Sequence, residues 1–75
     1  MAKLTAEEMA KIERDFTYHR PKPDHPERYE NLRAKAKEFA ILIMESCPAS
    51  SERLLAMTYL KSSVMWANAS IAINE

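Results

Sequence analysis

Three features of the chain predict an all-α fold: a short N-terminal helix followed by a long antiparallel helical hairpin, assembled as an oligomer. Glycine is absent, while alanine, glutamate, lysine, leucine and methionine are abundant. These five are strong helix formers, and a chain without glycine is poorly suited to tight primed hairpin turns. Apolar residues recur at steps of three and four, the period of a helix face rather than the alternation of a strand. The last third carries almost no charge, since 20 of the 22 charged side chains lie in the first 53 positions.

The first helix opens at Thr5. Thr5 to Glu8 reads as a capping box, in which the Thr5 hydroxyl accepts from the backbone N–H of residue 8 and the Glu8 carboxylate returns the bond. Leu4 and Met9 stand where a hydrophobic staple closes over such a cap, and Met9, Ile12 and Phe16 share one face. Capping and periodicity predict this helix over about 5–15. The run Phe16-Thr17-Tyr18-His19-Arg20-Pro21-Lys22-Pro23-Asp24-His25-Pro26 then breaks it. Its prolines fix φ and push their predecessors into extended conformations, which predicts a connector over about 16–25. Aromatics in place of serine and glycine suit an ordered segment.

The second helix is predicted over about 26–47, with Asp24 or His25 as N-cap and Pro26 in the first turn. Tyr29, Leu32, Ala36, Phe39 and Ile43 repeat at three, four, three and four, a heptad seam. Cys47-Pro48 ends it. Ser50 or Ser51 caps a third helix, predicted over about 50–74. Two apolar faces run along that helix. One carries Leu54, Met57, Val64, Met65, Ile71 and Ala72; the other carries Leu55, Tyr59, Trp66, Ala69 and Ile73. A helix apolar nearly all round must be buried nearly all round. One partner helix and one short helix cannot cover it, so copies of the chain are expected to do so. A membrane span is the rival, but Thr58, Lys61, Ser62, Ser63, Asn68, Ser70 and Asn74 interrupt the run too often.

Composition narrows the function. Seventy-five residues make a single domain, expected to span 1–75. A core this small is marginal without a disulfide, a metal or a partner. The single cysteine, Cys47, excludes an intrachain disulfide and suits a reducing compartment. It reads as a buried helix-end thiol. His19 and His25 have only the distant Cys47 as a soft companion, which is no zinc pattern. The N-terminus has no signal-peptide apolar region. The formal net charge is zero, which argues against duplex nucleic acid. The acidic residues alternate with basic ones as on a solvated face, and no carboxylate pair or nucleophile–histidine pair is legible. A non-enzyme with no cofactor is expected.

The connector and the front of the second helix are the places to look for a ligand. Tyr18 and His19 precede the proline-stiffened turn, and Arg28, Arg33, Lys35 and Lys37 follow it. Arg33 and Lys37 are four apart and share a face. An aromatic ring beside clustered cations offers a π-face for a base and donors for phosphate. The plainer alternative is that Tyr18 covers the hairpin end and the cations pair with Glu27, Glu30 and Glu38.

The runs Phe16-Thr17-Tyr18-His19, Pro26-Glu27-Arg28-Tyr29-Glu30 and Arg33-Ala34-Lys35-Ala36-Lys37, with the ending Val64-Met65-Trp66-Ala67-Asn68-Ala69, closely resemble a phage family. These are the small anti-CBASS proteins that sequester cyclic oligonucleotides, whose helical hairpin is shared with a Thoeris-inhibiting sponge. The resemblance spans about residues 12–75, nearly the whole chain. It implies a homohexamer of hairpins, in the cytoplasm of the infected bacterial host, that binds cyclic dinucleotides between paired protomers without cleaving them. The family's base-stacking tyrosine matches Tyr18, and its phosphate-facing lysine matches Arg33, where charge is kept and a fork is gained. With these, His19 and Lys37 complete the expected ligand-binding set: Tyr18, His19, Arg33 and Lys37. Some members hold cyclic trinucleotides at a second, three-fold site through an arginine near the C-terminus. The matching position here is Ile73, which weakens the case for trinucleotide binding. Two other functions fit parts of the sequence. A structural or adaptor oligomer would take no small ligand, and a small nucleic-acid binder would show a steep salt slope.

Overall fold

A computed structural model describes residues 3–75. It contains three helices: α1 (Ala6–Phe16), α2 (His25–Ser46) and α3 (Ser51–Asn74). No strand occurs among the described residues. Met1 and Ala2, at the start of the expected single domain, lie outside them.

Each helix begins and ends for a local reason. Thr5 is the N-cap of α1. Its N–H donates to Glu8 Oε1 at 2.8 Å and its Oγ1 accepts from Glu8 N–H at 3.1 Å, so the capping box is closed in both directions. Thr17, in the extended region, ends the helix. Asp24 is the N-cap of α2 but makes no side-chain capping bond, being in the αR region. The prolines do the work there, with Pro26 in the first turn where its missing N–H costs nothing. Pro48 forces Cys47 into an extended conformation (φ −111°, ψ 135°), which stops α2 at Ser46. Ser50 Oγ accepts from Arg53 N–H at 3.1 Å and caps α3.

α2 and α3 form the antiparallel hairpin, tied at both ends by arginine. At the tip, Arg53 Nη1 donates to Cys47 O at 3.1 Å and Met44 O at 3.4 Å, filling carbonyls that a helix C-terminus leaves unpaired. At the open end, Arg28 grips the Glu75 carboxylate through both guanidinium nitrogens, the Nη2–Oε2 contact being 2.9 Å. α1 lies against the C-terminal half of α3, where Lys11, Arg14 and Asp15 share a furrow with Trp66, Ala69 and Ile73.

The result is a plate one helix thick, with extents of 51 × 37 × 13 Å. A helix with its side chains is about 10–12 Å across. The radius of gyration is 17.1 Å, against about 11 Å for a compact chain of this length. The accessible surface is 6533 Å², where about 4,700 Å² is usual for this mass. Among the described residues the buried apolar side chains are Ile43 and Ile71, at 8% and 7% exposure. Stable domains pair at least two layers around a core, and a single chain of this protein provides one layer.

The surfaces used inside the hairpin differ in detail from the expected ones. On α2, Ala36, Ala40 and Ile43 face inward, while Phe39, expected in the seam, is exposed. On α3, Leu60, Ala67 and Asn68 are half-buried with Met57 and Val64 beside the buried Ile71, while Leu54, Leu55, Tyr59, Met65 and Trp66 stand in solvent. A straight helix drifts from a strict heptad, and α3 has more apolar stripes than one partner helix can cover. Cys47, expected to be buried, is exposed, because the chain leaves the helix there at the hairpin tip. No helix among the described residues is long and apolar enough to cross a membrane.

Candidate functional site

The connector between α1 and α2 presents one of the expected groups and uses another structurally. Tyr18 is 83% exposed, so its ring is free to take a flat partner. His19 is half-buried, and its Nε2–H donates to the Arg14 carbonyl at 2.7 Å, satisfying a group left open at the end of α1. This bond anchors the segment immediately after Tyr18.

The other end of the connector is pinned by His25, a residue the sequence offered only as a possible cap. It is the most buried polar side chain, at 1% exposure. Its Nδ1 accepts from the Lys22 backbone N–H at 3.1 Å, while the His25 backbone N–H donates to Lys22 O at 3.0 Å. Its ring lies tilted against Tyr29, centroids 5.9 Å apart. Nε2 faces Glu75 Oε1 at 3.9 Å, beyond hydrogen-bond reach. Glu75 is held by Arg28, whose hydrogen bonds, with the Arg28 and Lys22 charges nearby, keep its carboxyl below the usual glutamate range. Proline spacing signals the turn, but no local pattern signals that a histidine would fill it.

Arg33 and Lys37 sit one turn apart on α2, at the rim of a groove between α2 and α3. The groove is shallow and open to solvent, with a volume of about 460 Å³, and is lined by Arg33, Ala36, Lys37, Ala40, Met57, Leu60, Lys61 and Val64. The spacing explains it. Positions 33, 36, 37 and 40 form one face of α2, and 57, 60, 61 and 64 form the facing stripe of α3. The two alanines are too small to fill the space, so the wall is apolar and the rim cationic.

Three other cations of the described residues are paired. Lys11 pairs with Asp15 at 2.7 Å, Lys35 with Glu38 at 3.3 Å, and Arg28 with Asp24 and Glu75. Arg33 and Lys37 have no carboxylate within ion-pair distance among the described residues, and no acidic side chain lines the groove. The solvated-pair alternative therefore holds for Lys35 and fails for Arg33 and Lys37. Such a surface suits an anion with flat apolar parts. Within one chain no described contact or groove joins Tyr18 or His19 to Arg33 and Lys37. Among the described residues no three histidine, cysteine, aspartate or glutamate side chains are placed to hold a metal ion.

Comparison with known proteins gives a single kind of match. No curated protein and no solved structure matches the chain. The family described as Acb2/Tad1, hairpin domain, matches residues 8–72, from the first turn of α1 almost to the end of α3. A match over so much of the chain, on a structure that is itself a helical hairpin, places the protein in the Acb2/Tad1 hairpin-domain family.

Proposed function

We propose that the protein is a phage immune-evasion sponge that binds cyclic dinucleotide second messengers and holds them uncleaved, so that CBASS signalling in the infected cell's cytoplasm lacks its messenger. The whole chain acts as one hairpin domain. The observation that carries this reading is the unpaired Arg33–Lys37 pair at the rim of an apolar groove in a chain of this family. Guanidinium forks suit phosphodiester oxygens, and an ammonium one turn away adds charge without fixed geometry.

Assembly completes the site. No described groove of one chain is lined by both Tyr18 and Arg33, and a two-fold pairing of protomers supplies each of them twice, which matches a ligand with two bases and two phosphates. The thin plate with exposed Phe39, Leu54, Leu55, Tyr59, Met65 and Trp66 favours a closed homo-oligomer, and we take it to be a hexamer. His19 contributes by fixing the backbone that carries Tyr18. Cyclic trinucleotides are not assigned a site, since Ile73 is an apolar residue half-buried beside Trp66 and Ala69.

Calorimetry with cyclic dinucleotides, cyclic trinucleotides and a linear oligonucleotide tests the reading. Tight binding of at least one cyclic dinucleotide supports it. Binding of the linear oligonucleotide alone, or of nothing, overturns it in favour of a nucleic-acid binder or a structural oligomer. Bound dinucleotide should be recovered intact after heat denaturation. Linear product on the chromatogram would reveal an enzyme instead.

A further inference from the structure

We propose that Lys61 of α3 is a third phosphate-binding residue, closing the Arg33–Lys37 rim from the opposite helix so that the ligand's diester backbone spans the groove between α2 and α3. This rests on the sponge reading above and adds to it a residue and a location for the anion.

Lys61 is the sole charged side chain between Arg53 and Glu75, so α3 is apolar or neutral beyond its first turn except at this position. A cation on such a surface has a cost wherever the helix is covered by protein, unless an anion meets it. Its place in the fold is specific. It lines the same groove as Arg33 and Lys37, across a floor of Ala36, Ala40, Met57, Leu60 and Val64. It has no carboxylate within ion-pair distance among the described residues. The only other cation in the first half of α3, Arg53, is occupied with the carbonyls that end α2. Three unpaired cations from two helices converge on one apolar trough, while the chain as a whole is neutral. That charge pattern complements a small polyanion with flat apolar faces. A second copy of the chain approaching through an apolar face would leave three charges desolvated and unpaired.

The test compares the parent with Lys61→Ala, Lys61→Arg and Arg33→Ala, using cyclic di-AMP, cyclic di-GMP and mixed cyclic GMP–AMP as probes. Loss of a hydrogen-bonded ion pair to phosphate predicts affinity about 10- to 100-fold weaker in Lys61→Ala. The salt dependence should also flatten, and Lys61→Arg should restore most of both. Charge-dependent rescue separates phosphate contact from mere packing. Acylation of the parent provides a reading independent of any variant's folding. Bound dinucleotide should protect the Lys61 and Lys37 amines, as seen by mass spectrometry, and leave Lys35 reactive. Parent-like binding by Lys61→Ala, or Lys61 reactivity unchanged by ligand, overturns the proposal. If Arg33→Ala nevertheless loses binding, the sponge reading stands without Lys61. Failure of the parent to bind any of the three probes overturns both.

Discussion

The proposed reading gives Tyr18 and Arg33 separable contributions, and single substitutions tell them apart. A base stacked on an aromatic ring is worth roughly 1–3 kcal/mol by alanine substitution. Because symmetry removes both copies, Tyr18→Ala should weaken dinucleotide binding by about 2–6 kcal/mol if the two effects add. Tyr18→Phe keeps the ring and should lose much less. Arg33→Ala should weaken binding and flatten its salt dependence, with Arg33→Lys better tolerated because only the fork is lost. Calorimetry on correctly assembled variants decides both, and parent-like affinity of Tyr18→Ala would dismiss stacking. The candidate residues were legible because their chemistry is local: a ring before prolines, and two cations four apart. Lys61 was visible to sequence only as an interruption in an apolar run. Its neighbours across the groove are set by the hairpin register, which no local pattern encodes. His25 was illegible for the same reason, because its burial depends on Tyr29, Lys22 and the far end of α3.

At the scale of helices, the ends were more legible than the faces. The Thr5–Glu8 box, Pro48 and Ser50 act within four residues of themselves, so their spacing is nearly sufficient. The faces depend on which stripe meets which neighbour, and Ala40 faces α3 where Phe39 was expected to. Thr5→Ala should cost α1 about 1 kcal/mol, read as lower amide protection in that helix while the hairpin is unchanged. The open end of the hairpin should respond to acid. Glu75 titrates below its ordinary value in the folded chain, so its pairing with Arg28 stabilises fully above the unfolded value, about 4.3, and is lost as pH falls through the lower folded value. Protection factors in the last turn of α3 should therefore hold at neutral pH and fall on acidification below that value. Arg28→Ala should show low protection at all pH. Acid-insensitive protection in the parent would mean that packing, and not this ion pair, closes the end.

At the scale of the molecule, the distribution of charge and the flatness of the plate lead to the same expectation. Helices of one layer leave Phe39, Leu54, Leu55, Tyr59, Met65 and Trp66 in water, and a core as small as this one is marginal on its own. Further copies covering that surface would supply the second layer. Trp66 is the most informative position. It is 74% exposed in one chain, and its ring is large enough to dominate a buried contact. Trp66→Glu should dissociate or unfold the assembly, because the new carboxylate would be desolvated without a partner. The parent should scatter light as a stable oligomer at micromolar concentration. Six chains of 8.6 kDa correspond to about 52 kDa, and closed symmetry predicts one species and not a ladder. In Trp66→Glu the mass should fall toward that of one chain, with loss of helicity if the separated layer cannot persist. A folded, monodisperse parent of one chain's mass would refute assembly and with it the paired-protomer pocket, since no second copy would then supply the other Tyr18 and Arg33.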